Sequence, residues 1–315
     1  MTRARPLRLV DPDAEPDGGP NAVYLRDFAR HLRALNRSPR TIRGYTDDVA
    51  LLARHLAGRD LATTGRADVE EFLGDQLARH RPATAAVRYR SLRRFFNWMT
   101  GEELVATSPM AGVGEPAVPD VPVPVIPDDY LLRLLKSMDG KAFEDRRDTA
   151  IVRLLIDTPL RLAELAGLRI RGEDGRSDVD LDVDSVYVTG KGARPRANPF
   201  GPSTGQALTR YERARAAHPA AKLDAYWIGG RGAMTGSGIY QMVERRARAA
   251  GLPHVHPHQF RHTFAHQWRK AGGSEEDLMR LGGWRSREVM ARYGESLAVE
   301  RAADAHKRLA PGERV

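Results

Sequence analysis

Residues 258–262 read HQFRH, and LGGW at 281–284 and RYG at 292–294 follow at measured intervals. His258 and Arg261 are three residues apart, so on a helix they project from one face. An imidazole and a guanidinium placed in this way can both reach one oxyanion, for which a phosphodiester is the natural ligand. The order of these residues therefore predicts a phosphate clamp with Tyr293 as a nucleophile behind it.

Two segments further upstream add the remaining groups of such a site. Arg161 and Glu164 lie in TPLRLAEL at 158–165, and Lys191 lies in GKG at 190–192. Glycines on both sides of the lysine are typical of a tight turn that lets the backbone approach a ligand closely. Taken alone, Arg161 is best explained as a surface arginine paired with Glu164, which is worth under about 1 kcal/mol. Its occurrence in this set favours a phosphate site.

The composition favours a polyanionic partner. The 315 residues contain 50 Lys and Arg against 41 Asp and Glu, for a formal net charge of +9. Nucleic acid is the leading candidate for such a partner. A solvated charged surface, or an arginine bias of the genome, would also explain the charge.

Cysteine usage and hydropathy limit the class of protein. The chain has no cysteine, so it can form neither a disulfide nor a thiolate metal site, and we expect a reducing cytoplasm. No apolar run approaches the roughly 20 residues that span a bilayer, so a soluble protein without a membrane partner is expected.

Composition shifts along the chain predict two domains. Residues 1–20 lack the apolar core of a signal peptide, and we expect a disordered arm. Helical periodicity covers residues 21–110, which should form a small bundle. Six prolines from Pro109 to Pro127 then predict a semi-extended linker over 111–127.

Two helices of the first domain can be specified further. Ser38 and Pro39 are typical of an N-cap and a first-turn proline. A later helix should pack through apolar residues that recur at helical spacing, namely Val87, Leu92, Phe95, Phe96 and Met99. A solvated helix face explains the arginines of this later helix equally well, but with two arginines of the earlier helix they are candidate DNA contacts: Arg40, Arg43, Arg88, Arg90, Arg93 and Arg94.

The second domain, residues 128–315, should combine helices with a small sheet. Alternation predicts one strand through Val179, Leu181 and Val183 and another through Val186 and Val188. Arg194 and Arg196 lie just beyond the GKG turn, where they could bind backbone phosphate. A C-terminal tail helix is expected from residues 297 to 309.

These motifs together resemble the tyrosine recombinases, the phage integrase and Xer-like family, over about residues 21–310. The match rests on six positions in fixed order, namely Arg161, Lys191, His258, Arg261, Trp284 and Tyr293. The resemblance implies a mainly α fold with a small β-sheet, in which a helical SAM-like core-binding domain precedes an α+β catalytic domain. Pro159 departs from the family, which usually has glycine there, and several extra residues separate Arg161 from Lys191.

The resemblance also implies roles for these residues. Arg161 and Arg261 correspond to the two arginines that grip the phosphate, and Glu164 to the acidic residue that holds a cation in place. Lys191 corresponds to the general acid on a β-hairpin; the alternative is a generic basic hairpin tip.

The remaining positions concern proton transfer and the nucleophile. His258 resembles the histidine that exchanges a proton with the tyrosine, and His262 is a supporting residue. Trp284 stands where many members have histidine, and its indole can donate a hydrogen bond but cannot transfer protons; an ordinary buried tryptophan is the competing interpretation. Tyr293, nine residues later, corresponds to the nucleophile.

The implied function is site-specific DNA recombination. Tyr293 would form a 3′-phosphotyrosyl enzyme and release a 5′ hydroxyl, without metal or cofactor, in integration, excision or resolution. Four protomers would act on two DNA duplexes near the nucleoid; whether a second recombinase or an accessory protein takes part stays open. Three alternatives remain, namely a type IB topoisomerase, an inactive DNA-binding protein, and a metal hydrolase that uses the histidines from His254 to His266.

Overall fold

The structure is a computed structural model that describes residues 19–119, 124–172, 175–190, 194–284, 306–308 and 310. The chain divides into two compact units, Met1–Asp120 and Val121–Val315. The predicted arm lies outside the described residues except at its end, because the first helix already begins at Pro20.

The first unit is helical. Its helices are α1 (Pro20–Ala34), α2 (Pro39–His55), α3 (Arg66–Arg79) and α4 (Pro82–Gly101). The predicted start of α2 is confirmed: Ser38 Oγ accepts the N–H of Thr41 at 3.1 Å, and Pro39 occupies the first turn. This cap satisfies a backbone donor that the helix itself leaves open.

All four helices contribute to the core of the first unit, and aromatic rings join α1 to α4 within it. Phe28, Phe95 and Phe96 are fully buried, and the rings of Phe28 and Phe95 meet edge to face at 5.2 Å. Val87 was predicted to pack here, but it is 50% exposed. It precedes Leu92 by five residues, which places it about 140° around the helix from the packed face.

The predicted linker over 111–127 is too long at both ends. Val113 is buried in the first core, and its carbonyl accepts the hydroxyl of Tyr89 at 2.9 Å. Ile126 is buried in the second core, and its N–H donates to Thr263 Oγ1 at 2.9 Å. Both residues therefore belong to the folded units.

The second unit surrounds a small sheet with helices. The helices are α5 (Asp128–Lys136), α6 (Phe143–Asp157), α7 (Leu162–Ala166), α8 (Pro202–Ala216), α9 (Gly236–Ala249), α10 (Pro257–Lys270) and α11 (Glu275–Gly282). The core includes Trp227, whose indole N–H donates to the carbonyl of Leu165 at 2.8 Å. This bond fixes the end of α7 against the core.

None of the helices in the described part of the chain is long and apolar enough to cross a membrane.

The main sheet has three antiparallel strands in the order β1-β2-β3. They are β1 (Val179–Asp180), β2 (Ser185–Gly190) and β3 (Arg194–Pro199). The strand predicted through Val183 ends early, because Asp180 Oδ1 accepts the N–H groups of Asp182 at 3.0 Å and Val183 at 3.3 Å. Such a side-chain bond bends the backbone into a turn. The fold class predicted from the sequence is confirmed.

A second sheet was not predicted. Its strands, β4 (Ile228–Gly229) and β5 (Gly232–Ala233), are antiparallel and two residues long. Two residues are too few for alternation to be visible in a sequence.

Candidate active site

Four chain segments meet in the second unit and bring cationic side chains together. Arg161 immediately precedes α7, and Arg196 lies within β3. Arg261 lies within α10, and Trp284 follows α11 after the capping Gly283. Helix α11 packs against both β3 and α10. The three arginines consequently surround the C-terminal end of α11.

Glu164 is the carboxylate of this site, and it is shared between two arginines. Its Oε1 accepts Arg161 Nη1 at 2.9 Å and Arg196 Nη1 at 3.2 Å. Its Oε2 accepts the backbone N–H of Arg161 at 2.8 Å and Arg196 Nη2 at 2.6 Å. Each carboxylate oxygen thus receives one bond from each arginine.

The ionisation of Glu164 follows from these bonds. Its side chain is 9% exposed, and burial by itself raises the pKa of the carboxyl. Hydrogen bonds from Arg196 first, and from the backbone and side chain of Arg161 next, outweigh burial and lower the pKa below its ordinary value. Glu164 is therefore ionised at neutral pH and holds both arginines in place.

Arg261 is the most deeply buried cation of the site, at 4% exposed. Its Nη2 donates to the carbonyl of Gly282 at 2.7 Å, and its Nη1 donates to the carbonyl of Pro159. The guanidinium carbon lies 3.8 Å from the ring centroid of Trp284, as in a cation–π contact. Pro159 still provides this carbonyl, so a proline in place of the family's usual glycine leaves the acceptor intact.

Three consecutive carbonyls at the end of α11 each accept one arginine. Besides the Arg261 bond to Gly282, Arg196 Nε donates to Leu281 at 2.8 Å, and Arg161 Nη2 donates to Gly283 at 3.2 Å. Carbonyls at a helix C-terminus lack helical partners and carry partial negative charge. The end of α11 is therefore a fixed set of acceptors that aligns three guanidiniums.

The two glycines of LGGW, Gly282 and Gly283, are each required for a different structural reason. A side chain on Gly282 would collide with the ring of Trp284. Gly283 has φ 62° and ψ 39°, the left-handed conformation that ends a helix and that glycine adopts without strain. Both are needed to fold the indole, which is 8% exposed, back onto Arg261.

His258 and His262 lie one helical turn apart and contact each other. Their Nε2 atoms are 2.9 Å apart, so one carries a hydrogen that the other accepts. Burial, then the neighbouring His258 and Arg261, lower the pKa of His262 to about 3. His258 is more exposed, yet partial desolvation and then Arg261 lower its pKa as well. Both imidazoles are therefore neutral at pH 7, and His258 can accept a proton.

Two other histidines of this stretch contact residues outside it. His254 Nδ1 lies 3.1 Å from Glu244 Oε1, and the ring of His256 stacks with Tyr240 at 6.5 Å. Within the described ranges, no three His, Cys, Asp or Glu side chains are grouped so that they could hold a metal ion. The described residues thus supply no geometry for the metal hydrolase alternative.

Several predicted residues lie outside the described part of the chain. They are Lys191, Tyr293 and the tail helix except residues 306–308, which are helical. Lys191 falls in the connection between β2 and β3. The roles of Lys191 and Tyr293 stay predictions.

Two arginines predicted to contact DNA are engaged inside the protein instead. Arg196 is held by Glu164 and the end of α11. Arg88 is 16% exposed, donates to Gln76 Oε1 and approaches Asp48 Oδ1 at 3.9 Å. It lies one turn before Leu92, so helical spacing alone places it on the packed face of α4.

The other predicted DNA contacts lie at the surface. Arg40, Arg43 and Arg93 are exposed, Arg94 is half-buried, and Arg90 is 57% exposed with Glu115 Oε1 3.5 Å away. The side chain of Arg194 lies outside the described residues.

The position of Arg196 was signalled in the sequence but not used. A hairpin that turns at GKG pairs Val188 with Arg196 and Val186 with Asn198. Cross-strand partners share one face of a sheet, and Val186 and Val188 are buried. This register alone would have predicted that Arg196 points inward.

Two family models match the chain. The model described as the phage integrase family matches residues 124–299, and that described as the phage integrase N-terminal SAM-like domain matches residues 25–103. The first match alone spans more than half of the chain.

Individual proteins are similar over most of their length. Tyrosine recombinase XerC of Corynebacterium efficiens is 30% identical over 276 residues, which are 85% of this chain and 85% of the relative. Tyrosine recombinase XerC of Chromobacterium violaceum is 28% identical over 267 residues, which cover 82% of this chain and 85% of the relative.

A solved structure shares the fold. The XerH site-specific recombinase bound to a palindromic difH substrate, in a post-cleavage complex, matches with a TM-score of 0.70. The match covers 91% of this chain and 88% of that chain at 18% identity, and it shows the fold alone.

Proposed function

Since this chain belongs to the phage integrase family, we propose that it is a site-specific DNA recombinase that works through a 3′-phosphotyrosyl intermediate. The observation that carries the proposal is the set of arginines at the end of α11. Arg161 and Arg261 donate to adjacent carbonyls, so both guanidiniums are anchored at the end of this helix. His258 lies one turn before His262 on the helix that carries Arg261.

The two arginines suit a phosphate whose charge increases during reaction. Arg161 is 41% exposed, so a ligand can reach it from solvent, whereas Arg261 is buried and already oriented by Trp284. Guanidinium forks bind non-bridging oxygens with charge-assisted bonds, which strengthen in a pentacoordinate transition state. Side chains arranged before the substrate arrives need little reorganisation during the reaction.

Proton transfer completes the proposed mechanism. Tyr293 Oη forms a bond to phosphorus and gives its proton to His258, which the lowered pKa keeps neutral. The bond from phosphorus to the 5′ oxygen breaks, and Lys191 gives that oxygen a proton. A 5′ hydroxyl of another strand then reverses these steps, so the ester energy is retained.

We further propose how the protein meets its substrate. The exposed and half-buried arginines of the first unit, with Arg194, contact the backbone of double-stranded DNA: Arg40, Arg43, Arg90, Arg93 and Arg94. Exchange between two duplexes breaks four strands, and each chain brings one Tyr293, so a homotetramer on paired sites is expected. The protein would act in the cytoplasm at the nucleoid.

Covalent capture tests this function. The protein and its Tyr293→Phe variant are mixed, in chelator, with nicked duplexes from the DNA that flanks its own gene, and run on a denaturing gel. We expect a protein–DNA band that requires Tyr293. The band should retain a label on the 5′ end of the cleaved strand, since the protein is then joined to its 3′ phosphate.

Other outcomes would overturn parts of the proposal. DNA binding without a covalent band in either protein would indicate a DNA-binding module. A band accompanied by relaxation of a plasmid without paired sites would indicate a topoisomerase. A band that forms only without chelator would indicate a metal-dependent enzyme.

A further inference from the structure

Arg196 is bound by the protein through all three of its side-chain nitrogens. Nη1 and Nη2 donate to the two oxygens of Glu164, and Nε donates to the carbonyl of Leu281. The side chain is 10% exposed. A guanidinium with three bonds to the protein has little capacity left to bind DNA. Arg196 must therefore act on the site through its contacts with Glu164 and Leu281.

The charges around Glu164 indicate how Arg196 affects the site. One carboxylate faces two guanidiniums, which leaves one net positive charge for a ligand. Without Arg196, the carboxylate would face Arg161 alone, and the pair would be neutral. A phosphate approaching Arg161 would then meet a cation whose charge is already compensated.

We propose that Arg196 is a positioning residue for the phosphate site. It compensates the charge of Glu164, so that Arg161 keeps its charge for the scissile phosphate. Through Leu281 it also holds the end of α11, on which Trp284 and Arg261 depend. This inference rests on the proposed recombinase function and adds a third arginine to the two that the family resemblance assigns.

The chemistry of the contacts calls for arginine. A guanidinium offers a planar fork that matches a carboxylate, with Nε as a further donor at the side. A lysine would keep the charge, but a single ammonium cannot match all three acceptors. Lysine at this position should therefore preserve the electrostatic effect and lose part of the placement.

Strand β3 places Arg196 beside Glu164. Arg196 pairs with Val188 across the β2–β3 hairpin, and the connection of this hairpin contains Lys191. Anchoring β3 to Glu164 consequently links the hairpin of the proposed general acid to the arginine that precedes α7.

The decisive experiment removes and then restores the charge balance. The substrate is the nicked duplex that the wild-type protein captures covalently, and the single-turnover rate of capture is measured apart from DNA affinity. We expect Arg196→Gln to slow capture by roughly 10- to 100-fold, as for other residues that orient a reacting site. DNA affinity should change by less than about threefold, because Arg196 is not a DNA contact.

A double variant separates charge from structure. Glu164→Gln combined with Arg196→Gln removes both compensating charges, and Arg161 regains its net positive charge. We expect the double variant to react faster than Arg196→Gln alone. A purely structural role predicts the opposite, since the double variant loses more hydrogen bonds.

Controls make each outcome decisive. Arg171→Gln breaks a surface pair, Arg171 Nε to Asp224 Oδ1 at 2.9 Å, and should leave capture unchanged. If Arg196→Gln does not fold, Arg196→Lys keeps the charge and should capture DNA faster than Arg196→Met. A folded double variant no faster than Arg196→Gln, or Lys no better than Met, would overturn the inference. Absence of capture by the wild-type protein would instead refute the proposed function.

Discussion

The arginines at the end of α11 and those on α4 carry the same charge but are held differently. Arg261 is 4% exposed and donates to two backbone carbonyls. Arg90 is 57% exposed; it lies 3.5 Å from one carboxylate and donates to one carbonyl of its own helix. A buried cation has lost its water and depends on several fixed partners. An exposed cation keeps its water and its rotamer freedom, and salt screens its interactions.

This difference separates two uses of positive charge in one chain. The buried arginines have a fixed geometry, which is what stabilisation of a developing charge requires. The exposed arginines can bind phosphates along a duplex without a fixed position, which gives affinity that depends on salt. Net charge alone cannot distinguish the two.

The largest expected effect comes from replacing the buried Arg261. Arg261→Gln should lower the rate of covalent capture by roughly 10²- to 10³-fold, as for the loss of one transition-state donor. It should also lower the free energy of unfolding, by about 1–3 kcal/mol for each carbonyl left without a donor. Arg90→Gln is the matched exposed control and should change the unfolding free energy by less than about 0.5 kcal/mol. Capture by Arg261→Gln within threefold of wild type would contradict the assignment.

The pH dependence of stability tests burial at His262. An unfolded histidine has a pKa near 6.5, and that of folded His262 is about 3. Below pH 6.5 the unfolded chain therefore binds a proton at His262 that the folded chain does not. The contribution of His262 to the free energy of unfolding is thus complete above this pH and is lost as the pH falls. From pH 7 to 5 the loss should be about 2 kcal/mol.

Replacing His262 should remove that loss. Denaturant unfolding at pH 7 and pH 5 should show a smaller difference for His262→Asn than for the wild-type protein. His80→Asn, at an exposed position after α3, is the control and should keep the wild-type difference. Equal pH dependence in all three proteins would refute a buried, neutral His262.

The smallest expected effect comes from replacing an exposed arginine of α4. Arg93→Gln should weaken DNA binding several-fold and reduce the slope of log K against log salt by about 0.9, the value for one phosphate contact. Arg88→Gln, on the buried face of the same helix, should leave this slope unchanged and lower stability instead. Anisotropy titrations at several salt concentrations would measure both. A changed slope for Arg88 alone would reverse the proposed assignment.

Much of the fold could be predicted because the signals are local. Helical periodicity and the Ser38 cap act within a few residues, and α2 begins where they predicted. Val87 and Arg88 were misplaced although helical spacing alone sets their positions: Val87 lies about 140° around the helix from Leu92, and Arg88 lies one turn before Leu92. The strand through Val183 failed because the Asp180 turn competed with the alternating pattern.

The sequence by itself singled out His258, Arg261 and Trp284 as candidate site residues, since their types and spacing are properties of the chain. Only the tertiary structure decided what each arginine binds. Arg161 meets a carbonyl 122 residues away, and Arg196 meets Glu164 across 32 residues. Hydrogen-bond partners at such separations depend on how helices and strands pack, and no local pattern records them. The hairpin register alone indicates that Arg196 points inward, but only the tertiary structure shows that its partners there are Glu164 and Leu281.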